Sequence, residues 1–138
     1  MAQKSRFSII FAVTSVFLTG CGSDALGDKY VSFAKCVTEK GAKMYGSYTC
    51  PHCANQKKML GKAAFKEINY IECHPQGPKS QSQLCEQKGI NGVPDWEFAD
   101  STHQIGEITL EELSEKTKCS LPPDSALSGT STTATPIQ

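Results

Sequence analysis

Thr49-Cys50-Pro51-His52-Cys53 is the stretch of sequence that decides the fold, because it joins an apolar segment to a helical one. Residues 42–48 have the composition of a short buried strand, and Pro51 suits the first turn of the helix that follows. The two cysteines are therefore expected at a strand-to-helix junction, with Cys53 one turn into the helix. The residues that we expect this helix to bury are Ala54, Met59, Leu60 and Ala63.

This setting predicts different chemical roles for Cys50 and Cys53. Backbone N–H groups and the dipole at a helix N-terminus favour negative charge, so Cys50 is the expected thiolate nucleophile. Cys53 can attack a mixed disulfide formed at Cys50 and thereby release the partner. A protonated imidazole at His52 would stabilise the Cys50 thiolate further, which makes the disulfide more oxidising. The spacing predicts a redox-active dithiol, with Pro51 forming the first helical turn.

Residues 29–119 contain further elements that fit one small domain around this dithiol. The predicted helices are residues 29–40, 51–63, 80–88 and 109–119, the last starting with the capping box Thr109-Leu110-Glu111-Glu112. The predicted strands are residues 42–48, 68–73, 93–98 and 103–107. Strands joined by crossover helices and followed by a hairpin predict an α/β fold, a mixed four-stranded sheet with helices on both faces.

Val93-Pro94 provides a second motif at the start of the third predicted strand. Pro94 occupies the place of the cis-proline loop of thioredoxin-like proteins, where that loop lies against the dithiol and its backbone pairs with the bound partner. The alternative is a strand-start proline with an ordinary trans bond. Tyr48 and Thr49 precede the dithiol, and we expect them to border the same partner groove.

With both motifs placed, residues 29–119 resemble the thioredoxin family. More narrowly, the sequence is similar to the thioredoxin-like domain of bacterial and plant homologues of vitamin K epoxide reductase. The stretches that carry this closer resemblance are Met44-Tyr45-Gly46-Ser47-Tyr48-Thr49-Cys50-Pro51-His52-Cys53, Tyr70-Ile71-Glu72-Cys73, Leu84-Cys85 and Gly92-Val93-Pro94-Asp95-Trp96. The resemblance implies a domain that passes oxidising equivalents from a quinone-linked membrane enzyme to folding proteins, with its own disulfide as the redox group and no separate cofactor.

The resemblance also bears on direction and partner. His52 and Val93 match what oxidants of the DsbA type carry at these two places, which favours oxidation of protein thiols. The alternative is a reductase that supplies electrons to exported proteins. The 138-residue sequence has no membrane-embedded reductase part, so we expect the quinone-linked enzyme to be a separate protein.

In the resembling family an extra cysteine pair, matching Cys73 and Cys85 here, forms a disulfide. We expect that bond to be structural, holding a loop rich in Pro, Gly, Ser and Gln, and the alternative is a second redox relay pair. Cys36 and Cys119 would then be left to each other, joining the first and last helices. Many other pairings of six cysteines are possible.

Two further hypotheses concern the cysteines as a group. Cys50, Cys53, Cys73 and Cys85, with His74, could form a zinc site, which would make the protein a metal-binding lipoprotein. A purely structural disulfide between Cys50 and Cys53 is the other alternative, although so small a ring adds little loop-closure entropy. The exported compartment indicated by the N-terminus favours oxidation over metal binding, and we expect no metal site.

The first 20 residues predict a bacterial lipoprotein signal peptide. A positively charged start precedes an apolar run at residues 7–18, which is too short to span a bilayer as a mature helix. Leu18-Thr19-Gly20-Cys21 resembles the lipobox, whose cysteine is lipid-modified before cleavage. Cys21 and the tether at residues 21–28 would then hold the protein on the extracytoplasmic side of a bacterial membrane. The alternative is an ordinary signal peptide that is followed by a cysteine.

Length and composition limit the number of domains and the kinds of partner that we expect. The 138 residues have room for one domain, and the 14 basic and 14 acidic side chains form no block that would bind nucleic acid. Residues 120–138 are rich in Ser, Thr, Pro and Ala without an apolar period, so we expect a disordered tail. The sequence predicts a monomer that contacts protein thiols and disulfides and, through its lipid, a membrane.

Overall fold

Residues 29–123, which the computed structural model describes, form helices and strands in the predicted order, with one helix more than expected. The helices are α1 (Val31–Glu39), α2 (Pro51–Leu60), α3 (Lys62–Phe65), α4 (Ser82–Gln87) and α5 (Leu110–Thr117). The strands are β1 (Lys43–Gly46), β2 (Tyr70–Glu72), β3 (Asp95–Glu97) and β4 (His103–Ile105). The extra helix arises because Gly61, with a φ of +84°, ends α2 and starts α3.

The four strands form one mixed sheet in the order β2-β1-β3-β4. β1 and β2 are parallel, and both β1–β3 and β3–β4 are antiparallel. Met44 in the central strand β1 pairs with Tyr70 on one side and with Trp96 on the other. This confirms the predicted α/β architecture and brings the C-terminal end of β1, which leads to Cys50, next to the start of β3.

The two faces of the sheet are covered unequally. Met44 and Trp96 lie in the main core with side chains from α1, α2, α3 and α5. Tyr45, the neighbour of Met44, is in a smaller cluster with Ile71 of β2 and Cys85 of α4. Helices therefore lie on both faces, as predicted, but only the short α4 contributes to the smaller cluster.

The buried face of α2 differs from the prediction. Leu60 is buried as predicted, but Ala54 and Met59 are exposed, and the helix buries Cys53 and Gln56 in addition to Leu60. Ala63 is half-buried and belongs to α3. The three buried positions of α2 are spaced three and four residues apart on one face, and Cys53 sets that face by pointing into the core. Gln56 is fully buried because its amide donates to the carbonyl of Ile108 at 3.1 Å and accepts from the N–H of Ile108 at 2.8 Å.

Both disulfides expected from the sequence are present. Cys36 in α1 is bonded to Cys119, just after α5, with a Cα–Cα distance of 5.9 Å. Cys73, after β2, is bonded to Cys85 in α4, with a Cα–Cα distance of 5.7 Å. The first bond joins the two ends of the domain, and the second attaches α4 to the sheet.

The predicted boundaries fall partly outside the described residues. The signal peptide, Cys21, the tether and all but the first four residues of the predicted tail lie outside residues 29–123. Leu121, which we assigned to that tail, instead packs against the main core. Within residues 29–123, no helix has the length and apolar character needed to cross a membrane.

A polar network occupies the smaller face of the sheet. The carboxylate of Glu97 in β3 is 5% exposed and accepts hydrogen bonds from the hydroxyl of Tyr45 and the ammonium groups of Lys43 and Lys88, the latter two at 3.3 Å. The bond from Tyr45, followed by those from Lys88 and Lys43, lowers the pKa of Glu97 to about 2, although burial opposes the shift. Glu97 is therefore ionised in the folded protein even in acid.

We expect the stability that Glu97 contributes to be lost in acid. Its folded pKa of about 2 lies below the value of about 4.3 for an unfolded glutamate, so the contribution is complete above about pH 5 and disappears as the pH falls towards 2. Over that range, the free energy of unfolding should fall by on the order of 3 kcal/mol more in the unmodified protein than in Glu97→Gln. Urea denaturation at a series of pH values measures this difference, and parallel curves would contradict it.

Candidate active site

The dithiol lies at the N-terminus of α2. Cys50 is the N-cap residue, Pro51 is the first helical residue, and the N–H of Cys53 donates to the Cys50 sulfur at 3.5 Å. Cys50 is half-buried and Cys53 is fully buried, and they are the two free cysteines of the described residues. An external sulfur can therefore reach Cys50 but not Cys53.

Cys53 is kept as a neutral thiol by its surroundings. Burial raises the pKa of Cys53 to about 12, a shift that the N–H of Ser47, donating to its sulfur at 3.4 Å, only partly offsets. The neighbouring Cys50 sulfur raises this pKa as well, and Lys57 lowers it. Cys53 must lose a proton before it can act as a nucleophile, so its proton needs an acceptor.

The proline loop lies against the dithiol. The Val93–Pro94 peptide bond is cis, and the Cys50 thiol donates to the carbonyl of Val93 at 3.4 Å. Pro94 itself is fully buried at the start of β3. The predicted juxtaposition of the two motifs is therefore present, and partner binding by Val93 and Pro94 stays a prediction.

Tyr48 and Thr49 lie at the surface just before Cys50. Tyr48 is 50% exposed, and its ring meets that of His74 edge-on with 5.1 Å between centroids. The hydroxyl of Thr49 is 2.9 Å from that of Ser47. Both residues lie close to the dithiol in the chain, and the expectation that they border a partner groove stays a prediction.

His52 has a partner that sequence reasoning missed. Its Nδ1 is 2.6 Å from the carboxylate of Glu107, which also accepts from the amide of Asn55 at 3.2 Å. The bond to His52, then that to Asn55, lowers the pKa of Glu107, so the carboxylate is ionised. Glu107 lies 55 residues from His52 along the chain, and the only local signal was its position before the capping box.

A second missed carboxylate lies beneath the loop that carries the dithiol. Glu72, at the end of β2, is 3% exposed and accepts hydrogen bonds from the N–H groups of Tyr48 and His74, at 3.2 and 2.9 Å, and from the hydroxyl of Tyr70 at 2.9 Å. The alternation of residues 68–73 places Glu72 on the same face as Tyr70 and Ile68. A glutamate at an inward position of a buried strand was the available signal.

The grouping needed for a metal site is not formed by the described residues. Between residues 29 and 123, no three His, Cys, Asp or Glu side chains lie together in a way that could hold a metal ion. The sulfurs of Cys73 and Cys85 are bonded to each other. In this state the zinc hypothesis therefore loses two of its thiolate ligands.

No protein-family model matches the chain. Over 94 residues, 66% of its length, it is 44% identical to the thiol-disulfide oxidoreductase LTO1 of Arabidopsis thaliana. The chain is homologous to part of LTO1. Together with the mixed sheet, this homology establishes a thioredoxin-like fold. The match covers 25% of LTO1, so the chain spans about a quarter of the length of this relative, and the homology concerns its thioredoxin-like region.

Proposed function

We propose that the protein is a thiol:disulfide oxidoreductase that exchanges disulfides with protein substrates through Cys50 and Cys53. The observation that carries the proposal is the half-buried Cys50 sulfur, which caps α2, contacts the cis-proline loop and has the buried Cys53 behind it. Homology to part of an enzyme named for this chemistry supports the proposal.

In the oxidising direction, a substrate thiolate attacks the Cys50 sulfur of the Cys50–Cys53 disulfide. A bond forms between the substrate sulfur and the Cys50 sulfur, and the Cys50–Cys53 bond breaks. Cys53 leaves with the electron pair and takes up a proton. A second substrate thiolate then attacks the first substrate sulfur and displaces Cys50 as a thiolate. The substrate gains a disulfide, and the protein is left with a Cys50 thiolate and a Cys53 thiol.

We propose that this direction prevails. His52 is held by the carboxylate of Glu107, and in its protonated form it would add positive charge next to the residue that must leave as a thiolate in the last step. Stabilising that thiolate stabilises the reduced protein, which makes its disulfide a stronger oxidant. Release of electrons to exported proteins is the alternative direction.

Location and partners are proposals from the sequence. A lipid on Cys21 would hold a monomeric domain at the cell envelope, on the extracytoplasmic side of a bacterial membrane. A quinone-linked membrane enzyme would then restore the Cys50–Cys53 disulfide after each turnover. The charge balance, with 14 residues of each sign, fits protein substrates better than nucleic acid.

Equilibration with glutathione at graded ratios of its reduced and oxidised forms tests both activity and direction. We expect the Cys50 pair to equilibrate with a reduction potential closer to about −120 mV, typical of DsbA, than to about −270 mV, typical of thioredoxin. His52→Ala should lower the potential by about 30 mV, because the reduced state loses roughly 1.4 kcal/mol of stabilisation.

His103→Ala is the matched control, since His103 lies in β4 and pairs with Asp95 at 3.0 Å. Its potential should equal that of the unmodified protein. A pair that does not exchange with glutathione at all contradicts the proposed activity. A potential near −270 mV supports the reducing alternative.

A further inference from the structure

The structure contains two hydrogen-bonded tyrosine–glutamate pairs, one on each face of the sheet, and both glutamates are buried. Tyr45 and Glu97 form the pair in the polar network on the smaller face. Tyr70 and Glu72 form the other pair, on the face that holds Cys53, with 2.9 Å between the hydroxyl and the carboxylate. The first pair is neutralised by lysines that bond to its carboxylate, whereas the Glu72 carboxylate has backbone N–H groups and Tyr70 as its donors.

The ring of Tyr70 reaches the chain next to Cys53. A Cβ atom on Gly46 would lie 2.6 Å from the Tyr70 ring and 2.9 Å from its hydroxyl oxygen, so the absence of a side chain there permits this approach. Gly46 is followed by Ser47, whose N–H contacts the Cys53 sulfur. The Tyr70 hydroxyl therefore lies against Gly46, one residue before the N–H group that contacts the Cys53 sulfur.

Helix α2, which carries Cys53, also contacts the Tyr70 ring. Lys57, one turn after Cys53, has its ammonium group 3.9 Å from the centre of the Tyr70 ring. Burial, then the bond to Glu72 and the nearby Cys53 and Cys50 sulfurs, raises the pKa of Tyr70. The titratable groups that act on the Cys53 sulfur are thus Cys50 and Lys57, and Tyr70 is close enough for its charge to interact with that sulfur. Glu72 is connected to this group through its hydrogen bond with the Tyr70 hydroxyl.

We propose that Tyr70 and Glu72 form a proton relay for Cys53. When Cys53 attacks the mixed disulfide at Cys50, its proton passes to the Tyr70 oxygen while the Tyr70 hydroxyl proton passes to Glu72. The Cys53–Cys50 bond forms, the bond between Cys50 and the partner breaks, and the partner sulfur leaves with the electron pair. The cysteines are oxidised, the partner is reduced, and Glu72 later releases its proton to solvent.

In the oxidising direction the relay runs backwards. Cys53 leaves the Cys50–Cys53 disulfide as a thiolate, and a Cys53 pKa of about 12 makes that thiolate a poor leaving group unless it is protonated. Glu72, protonated from solvent, returns a proton through Tyr70. The same two residues therefore serve either direction of the proposed exchange, on which this inference rests.

An aromatic disulfide that releases a coloured thiolate, 5,5′-dithiobis(2-nitrobenzoate), separates the two steps in a full-length chain that carries Cys21→Ala and in which only the Cys50–Cys53 pair is reduced. Attack by Cys50 releases the first equivalent of colour, and attack by Cys53 releases the second. A high reagent concentration makes the first step fast, so the second is measured alone. We expect Tyr70→Phe and Glu72→Gln to slow the second step about 100-fold at pH 7 and to leave the first within about twofold.

The pH dependence distinguishes a relay from a structural role. The slow second step of both variants should accelerate about tenfold per pH unit between about pH 7 and 9, because hydroxide replaces the missing acceptor. Tyr45→Phe and Glu97→Gln are the matched controls and should keep both rates. Should Glu72→Gln fail to fold, Tyr70→Phe decides alone, since it preserves the ring.

Two results would overturn the relay. One is a Tyr70→Phe protein whose second step keeps the unmodified rate and pH dependence, and the other is an equal slowing of both steps. Failure of the exchange function itself looks different: the unmodified protein would then release no first equivalent of colour.

Discussion

Replacing Cys53 with serine is expected to leave the protein covalently joined to its partners through Cys50. The serine hydroxyl cannot displace a partner from Cys50, and Cys50 and Cys53 are the two free cysteines of the described residues. Mixed disulfides that are short-lived in the unmodified protein should accumulate about 100-fold or more. Non-reducing electrophoresis of cells treated with acid and an alkylating agent shows these adducts, and mass spectrometry identifies the partners.

Cys50→Ser is the matched control for this trap. The remaining Cys53 thiol is 0% exposed and keeps its proton, so it should form no adducts and support no exchange. Adducts that are equally abundant in both variants would show that thiols other than Cys50 react with partners. Full exchange activity in both variants would contradict the proposed function.

The second large effect concerns the disulfide between Cys36 and Cys119. It closes a loop with a sequence separation of 83 residues, and on the loop-entropy relation its removal should lower the free energy of unfolding by about 4.5 kcal/mol. For a domain with so small a core, that is a large share of the total stability. Urea denaturation of the Cys36→Ala/Cys119→Ala double variant measures the loss.

The other disulfide provides the comparison. Cys73 and Cys85 are 12 residues apart, so the corresponding double alanine variant should lose about 3 kcal/mol. The comparison is fair because each pair consists of one buried and one half-buried cysteine. A Cys73→Ala/Cys85→Ala variant that is less stable than the Cys36→Ala/Cys119→Ala variant would show that loop closure does not govern stability here.

The dithiol and its helix could be predicted from the sequence because their signals are local. Proline favours the first position of a helix, so Pro51 marks the start of α2. The capping box at Thr109 specifies the start of α5 from four consecutive residues. The order of elements then restricts the sheet to few topologies. These parts of the fold depend on neighbours in the chain.

The residues that surround the dithiol could not be found in the same way. Glu107 meets His52, Gln56 meets Ile108, and Lys57 lies over the Tyr70 ring only after the chain has folded, and each contact depends on tertiary geometry. The misassigned face of α2 has the same origin. A glutamine such as Gln56 is expected at the surface from sequence alone, and it can be buried here because the backbone of Ile108 binds its amide.

The bond between Cys36 and Cys119 also has a geometric consequence for the first and last helices. Because Cys36 lies within α1 and Cys119 just after α5, the bond holds these two helices side by side, with 5.9 Å between the two Cα atoms. A domain whose first and last helices are joined covalently can be appended to another polypeptide without disturbing its sheet. The domain can therefore be joined to another protein while its dithiol stays intact.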